Sequence, residues 1–421
     1  MTERLPKPLR FTFYVLSVTI ICVRNVILYS VTGLIAFWFV TQTLYPASQT
    51  LTHGFGAYYS AARLLRTGQF SAQVYDPTYF RPIVRADSRQ QADDIYHANP
   101  PTTSLMLWPL SFLSIENARL IWTVVNAVLL FGGLILLLFT FSPRPTLPVL
   151  ALLASLGMLF QPALENIRLG QAYLLIFALF SIAVTAWSKL AKSNPLGGAA
   201  LALALVLKTA GWALLPVLIW QRRWRRLFWT VSVIGVILVM ALPLFPPPVW
   251  QRYGQLLTET GSSAATCAAA YQTTRSLLCH LFVFDPVWSQ TPLINLPWLA
   301  VILLISLALL TLGFILTFAR RNEPLALIAA LAWGVIFAPL GEQYHHTVML
   351  IPLSWLILHW DRLNNFNRGC LITAVCLYLL PLPGQNGLIL LAYPRLFGAW
   401  LTLAALYPLM REQAPRLEIG D

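Results

Sequence analysis

The chain has 421 residues, of which 58% are hydrophobic and 10% charged; its formal charge is +13 and its mean hydropathy +0.69. A soluble core cannot absorb apolar runs repeated at this density, so the bilayer is the solvent. The basic residues stand in short clusters between apolar segments, where they set topology, and this disfavours nucleic acid as a partner.

Taken in order, the basic stretch Met1 to Arg10 is followed by no small-residue cleavage site and is expected to stay on the chain. Phe11 to Cys22 is about half the length of a spanning helix and is closed by Arg24-Asn25, which predicts an inner interfacial segment over 1–24. Val26 to Leu44 is then the first full span. A polar stretch over 46–100 follows, expected as an outer loop with amphipathic helices near Gly56 to Thr67 and Thr78 to Tyr96.

Further spans are expected at 118–141, 146–162, 171–188, 227–245, 297–319, 324–340, 347–360, 370–390 and 396–411, about ten in all. Residues 101–114, which carry Pro101 and Pro109, read as a short re-entrant segment. Residues 196–220 read as two short helices broken at Lys208-Thr-Ala-Gly211. A second large outer loop covers 246–295. The fold class is therefore all-α: one integral membrane domain over 1–421, a polytopic helical bundle.

Lys and Arg of short loops favour the cytoplasm. With both termini inside, Arg144, Lys189 and Lys192, Arg222, Arg223, Arg225 and Arg226, Arg320 and Arg321, Arg362 and Arg368, and Arg411 and Arg416 all fall inside. The polar clusters at 46–100, Glu165 to Gln171, Lys208, 246–295 and Gly341 to His346 then collect on the outer side, which predicts a shared outward-facing cavity in a cell-membrane protein. Cys22, Cys267, Cys279, Cys370 and Cys376 show no CxxC pair and no zinc spacing. Cys267 and Cys279 share one outer loop, but two free thiols are the expectation there.

Ionisable groups within apolar surroundings are the first candidates for chemistry. Lys208, too deep in Leu-Ala-Leu-Val-Leu-Lys to snorkel, reads as a fixed cation for a phosphate. Glu342, His345 and His346 put one carboxylate and two imidazoles on one rim, suited to a base, phosphate ligands or metal ligands. Arg275 and Arg168 are further cations able to clamp a phosphate or contact lipid headgroups. Tyr58, Tyr59 and Arg63 fit an aromatic belt on an amphipathic helix, and Asp76-Pro77 fits a helix start, with Asp76 as cap. No P-loop, GxGxxG, HExxH or nucleophile elbow occurs, which disfavours a nucleotide-driven pump, a zinc protease and a serine hydrolase.

Phe55-x-x-Tyr58-Tyr59-x-Ala-Ala-Arg63, Tyr75-Asp76-Pro77, Asn99-Pro100-Pro101 with Pro109, Gly170-Gln171, Leu207-Lys208-x-x-Gly211 with Pro216, and Ala338-Pro339 with Tyr344-His345-His346 appear in order over about 50–355. The ordered set resembles glycosyltransferase family 87, polyprenyl-phosphate-mannose-dependent mannosyltransferases of the GT-C fold. The resemblance implies inverting transfer of a hexose, mannose by family, from a polyprenyl-phosphate sugar to a glycan or glycolipid acceptor, without a cofactor or metal. Lys208, Arg275, His345 and His346 would hold the donor phosphate, with Tyr58, Tyr59, Asn99 and Gln171 lining the substrate cavity. The family pattern usually has an acidic residue before the Phe of the first motif, as its base; here that position is Gly54. Glu342 is then the first candidate base, His53 the second and Asp76 the third. The alternatives are a lipid or sugar transporter or flippase, and an inactive transferase-like scaffold.

Overall fold

The computed structural model describes residues 7–97, 99–189, 194–382 and 389–411; Lys192 and Arg416, assigned above to inner loops, lie outside them. Of the described residues 77% are helical, and among them there is no strand, only the isolated bridges Tyr271–Glu342 and Asp285–Ser289.

Helix α1 (Lys7–Phe39) runs through Arg24 and Asn25 without a break, widens into a π turn over Val40–Leu44 and continues as α2 (Tyr45–Gln49). From Lys7 onward, the inner interfacial segment expected over 1–24 is thus the first part of one long helix. Arg is a good helix former, and no Pro or Gly stands there to stop it.

The first polar segment holds α3 (Phe55–Arg66) and α4 (Pro77–Asp87). The latter begins as its sequence dictates, with Pro77 in the first turn and the Asp76 carboxylate accepting the Thr78 amide at 2.8 Å. It ends well before Tyr96, because Arg89 and Gln90 take left-handed φ values of 52° and 67°. Residues 91–96 are irregular. Neither helix floats on an interface: Ala61, Leu64, Val74, Phe80, Val84 and Tyr96 pack with Phe245, Val249 and Tyr253 of the second polar segment.

Two 3-10 turns, Pro101–Met106 and Pro109–Phe112, lead into α5 (Ile115–Phe141). Helices α6 (Leu147–Leu159) and α7 (Gln161–Leu169) meet at a 55° bend, and α8 (Tyr173–Lys189) follows. The expected pair of short helices is present as α9 (Pro195–Lys208) and α10 (Leu214–Trp220). Thr209 and Gly211, with φ of 50° and 91°, turn the chain between them. The carbonyls left open at the end of α9 are closed from outside the helix, since Thr103 Oγ1 donates to Leu207 O at 2.6 Å and Thr102 Oγ1 to Val206 O. Thus the Pro-rich turns brace the break that presents Lys208.

The remainder comprises α11 (Trp224–Ala241), α12 (Pro247–Ser262), α13 (Thr274–Phe282), α14 (Pro297–Phe318), α15 (Glu323–Ile336), α16 (Leu350–Leu358), α17 (Asn365–Leu379) and α18 (Pro394–Arg411). Among the described residues, four helical stretches are long and apolar enough to cross a membrane: Cys22–Gln49, α5, α11 and α14; the bent pair α6–α7 makes a fifth if it is one span. Length and composition therefore do not support the ten-span count. Several apolar runs belong to shorter helices buried in protein. In α15 every residue from Leu325 to Trp333 is buried against the central core.

Two poles are visible along α15. At its start Glu323 pairs with Arg223 and Arg226, beside Trp187 and Arg320. Beyond its end lies Glu342. A helix of this length separates the two by about 20 Å. In the second polar segment Cys267 and Cys279 form a disulfide, correcting the expectation of free thiols. The 3-10 turn Ala264–Cys267 folds back on α13, bringing the two Cα atoms to 5.3 Å, within bridging range.

Candidate active site

Beyond the far pole of α15 lies a cavity of about 580 Å³. Its polar part is lined by His53, Gly54, Tyr58, Asp94, His97, Asn99, Gln171, Tyr173, Lys208, Arg275, Glu342, Tyr344 and His345. Its apolar lining is Phe180, Leu205, Trp212, Leu331, Val335 and Val348, from α8, α9, the α9–α10 turn, α15 and the turn before α16. The volume is that of a small-molecule site.

Lys208 lines the cavity at the end of α9. Its Nζ donates to Asn99 Oδ1 at 2.7 Å and lies 4.7 Å from the Tyr58 ring and 5.9 Å from the Tyr173 ring. This ammonium is held by a neutral amide and two π faces, so its charge is not cancelled by a hydrogen-bonded carboxylate. The holders are themselves fixed. Tyr75 Oη donates to Asn99 O at 2.9 Å, and Tyr58 Oη donates to Gln171 Oε1. Gln171 is set by the α7–α8 turn, where Asn166 Nδ2 donates to Asn126 Oδ1 and Asn166 Oδ1 accepts from the Tyr173 amide, each at 2.8 Å.

Another part of the lining comes from the chain after α15. The Gln272 amide donates to Gly341 O at 2.8 Å, docking the segment that carries Arg275 onto the one that carries Glu342. The Tyr344 hydroxyl donates to the Glu342 carboxylate. Burial pushes that carboxyl above its ordinary value, against the Tyr344 bond and the charges of His53 and Lys208. His345 stacks on Tyr344 and Tyr173, with ring centroids at 4.7 and 4.0 Å, and its Nδ1 is buried with no hydrogen-bond partner among the described residues. An orphan nitrogen on a cavity wall fits a group that meets a ligand.

The other expected site residues lie elsewhere. His346 is fully buried: its Nε2 donates to Gln272 O at 3.0 Å and its Nδ1 accepts from Tyr378 Oη at 3.1 Å. Both nitrogens are engaged in bracing, which leaves none for a phosphate. Tyr59 turns away from the cavity and donates to Leu113 O at 2.7 Å. Asp76 is exposed and caps α4, which is its helix-start reading. Arg168 is exposed and outside the lining.

One residue was missed in the sequence. Asp94 sits in the irregular stretch after α4 and lines the cavity beside His53 and Gly54. Its Oδ2 accepts the Gly54 amide and its Oδ1 the Ile95 amide, the latter at 2.8 Å. Burial raises its carboxyl above the ordinary value, opposed by these amides and by His53 and Lys208. Extending the amphipathic helix to Tyr96 hid it as a solvated helix residue. The available signal was the Arg-Gln-Gln run, a poor place to continue an amphipathic pattern, followed by His97-Ala-Asn-Pro-Pro in the same polar stretch.

The sequence profile of glycosyltransferase family 87 matches residues 96–341, more than half of the chain. The match contains Asn99, Gln171, Lys208 and Arg275, whereas the first motifs, around Phe55 and Tyr75, lie ahead of it. No curated protein and no solved structure matches the chain. A helical membrane fold, an amphipathic cavity and this match lead to one conclusion: the chain belongs to glycosyltransferase family 87, and is by family a membrane glycosyltransferase.

Proposed function

We infer that the protein transfers a hexose, mannose in the first instance, from a polyprenyl-phosphate sugar to a glycan or glycolipid acceptor on the outer side of the cell membrane, with inversion at the anomeric carbon. The observation that carries this reading is one cavity whose lining joins apolar side chains of α8, α9 and α15 to a polar set around Lys208. Lipid chain, phosphate and sugar occur in that order in such a donor. The outward orientation rests on the basic pole around Arg223 and Arg320, and on the Cys267–Cys279 disulfide at the cavity side, since disulfides persist in oxidising compartments.

Lys208 and Arg275 stabilise the phosphate as it leaves, because fixed cations aimed at developing charge lower the barrier without reorganising, and the neutral His345 adds a hydrogen bond. Asn99, Tyr58 and Gln171 keep the ammonium in place. The acceptor hydroxyl must lose a proton to a base on the opposite face of the sugar, and two carboxylates, Asp94 and Glu342, line the chamber. The test is the lipid carried through purification in mild detergent. Mass spectrometry is expected to find a polyprenyl phosphate or its glycosylated form in the wild type and far less in Lys208→Ala. Equal amounts in both, or none in either, would count against the donor assignment.

A further inference from the structure

We propose that Asp94, brought to the backbone of Gly54 from forty residues away in the chain, is the base that takes the acceptor proton, and that Glu342 is not. This rests on the transfer reading above. In an inverting displacement the incoming oxygen and the departing phosphate occupy opposite faces of the anomeric carbon, so the base belongs on the wall away from the phosphate cations. Lys208 marks the phosphate end, and of the two carboxylates Glu342 exerts the stronger field on it. Glu342 also belongs to the same segment as His345 and accepts from Tyr344. It is placed to orient the cationic wall.

Asp94 reaches the chamber at Gly54, beside exposed His53. Gly54 has φ +76°, and a Cβ there would come within 2.6 Å of Gln171 Nε2 and 3.0 Å of Leu169 O. Position 54 therefore has no room for an acidic side chain of its own. Its amide instead anchors the carboxylate of Asp94, with the Ile95 amide on the other oxygen. Two backbone donors fix the group and leave each oxygen a further lone pair. The step balances as follows. The acceptor oxygen bonds to the anomeric carbon, the bond from that carbon to the phosphate oxygen breaks with its electron pair going to lipid phosphate, and the hydroxyl proton passes to the Asp94 carboxylate. Exposed His53 beside it opens the route by which the proton reaches water.

The experiment uses the purified full chain in detergent, with radiolabelled polyprenyl-phosphate mannose as probe and a membrane extract as acceptor source. D94N keeps an oxygen for the Gly54 amide and loses the proton acceptor, so turnover should fall by a factor of about 10²–10⁴. Its KM for the donor should change by less than about three-fold, as expected when an interaction used only in the transition state is removed. E342Q should cost less than D94N. Should D94N not yield folded protein, D94E and E342D are compared instead, and D94E should lose the more turnover. A larger loss in the Glu342 variant of either pair, or near-wild-type turnover in D94N, overturns the assignment while the transfer reading stands. A wild type that transfers no label from any polyprenyl-phosphate hexose overturns both.

Discussion

Removing the ammonium of Lys208 is the sharpest perturbation of the donor site. Lys208→Ala deletes the bond to Asn99 Oδ1 at 2.7 Å, but Asn99 keeps its contact from Tyr75 and its own bond to His97 O at 3.3 Å. The site should therefore stay folded and lose mainly charge. A charged hydrogen bond contributes about 1.5–3 kcal/mol, so donor affinity should fall roughly ten- to a hundred-fold. Turnover should fall further, since negative charge grows on the phosphate oxygen as the sugar bond breaks and the same cation gains strength. Direct binding of radiolabelled polyprenyl-phosphate mannose, read beside single-turnover release of the sugar, separates the two effects. Wild-type affinity and wild-type release in Lys208→Ala would refute the placing of phosphate at the α9–α10 break.

Single cysteines at positions 76 and 321, both exposed, should divide between the two faces: in cells lacking Cys22, Cys370 and Cys376 but retaining the disulfide, an impermeant reagent should label only position 76. Labelling of 321 alone would invert the orientation. Gly54→Asp should not raise activity, because the left-handed φ and the 2.6 Å approach to Gln171 strain any side chain there by roughly 1–3 kcal/mol; a lower thermal midpoint with lower turnover is expected, and a gain in turnover would contradict the packing. Turnover should also fall as pH drops through the Asp94 carboxyl's pKa. That limb should lie above the range of a free carboxylate because burial raises the group, while His53 and Lys208 pull it down and Glu342 and Tyr58 stand near as its other ionisable neighbours. An acid limb unchanged in the residual activity of D94N would assign it to another group.

Much of the site was legible because charge inside apolar sequence has few innocent explanations. Lys208 at an interrupted helix, Glu342 and His345 after an apolar run, and Asn99 before two prolines all line one cavity. What failed were inferences that needed packing. His345 and His346 are indistinguishable as neighbours in sequence, yet a 3-10 turn sends one to the cavity and locks the other between Gln272 and Tyr378. Asp94 was lost because the end of α4 depends on left-handed Arg89 and Gln90, a backbone conformation that the polar Arg-Gln-Gln run only hints at. Helix length and apolarity do not confirm the ten spans for a related reason: the apolar run of α15 is short and packed in protein, and hydropathy alone does not separate that from lipid. The disulfide required knowing that a 3-10 turn folds Cys267 back onto α13.

The central claim is that sugar moves from a polyprenyl phosphate to an acceptor through the Lys208 chamber. Reconstituting the purified protein in vesicles with radiolabelled polyprenyl-phosphate mannose and an extract of membrane glycolipids tests it most directly. The account predicts label in a new glycolipid or glycan with inverted anomeric configuration, formed by the wild type and strongly reduced in Lys208→Ala. Transfer that retains configuration, or label that merely crosses the vesicle membrane on its original lipid, would contradict it.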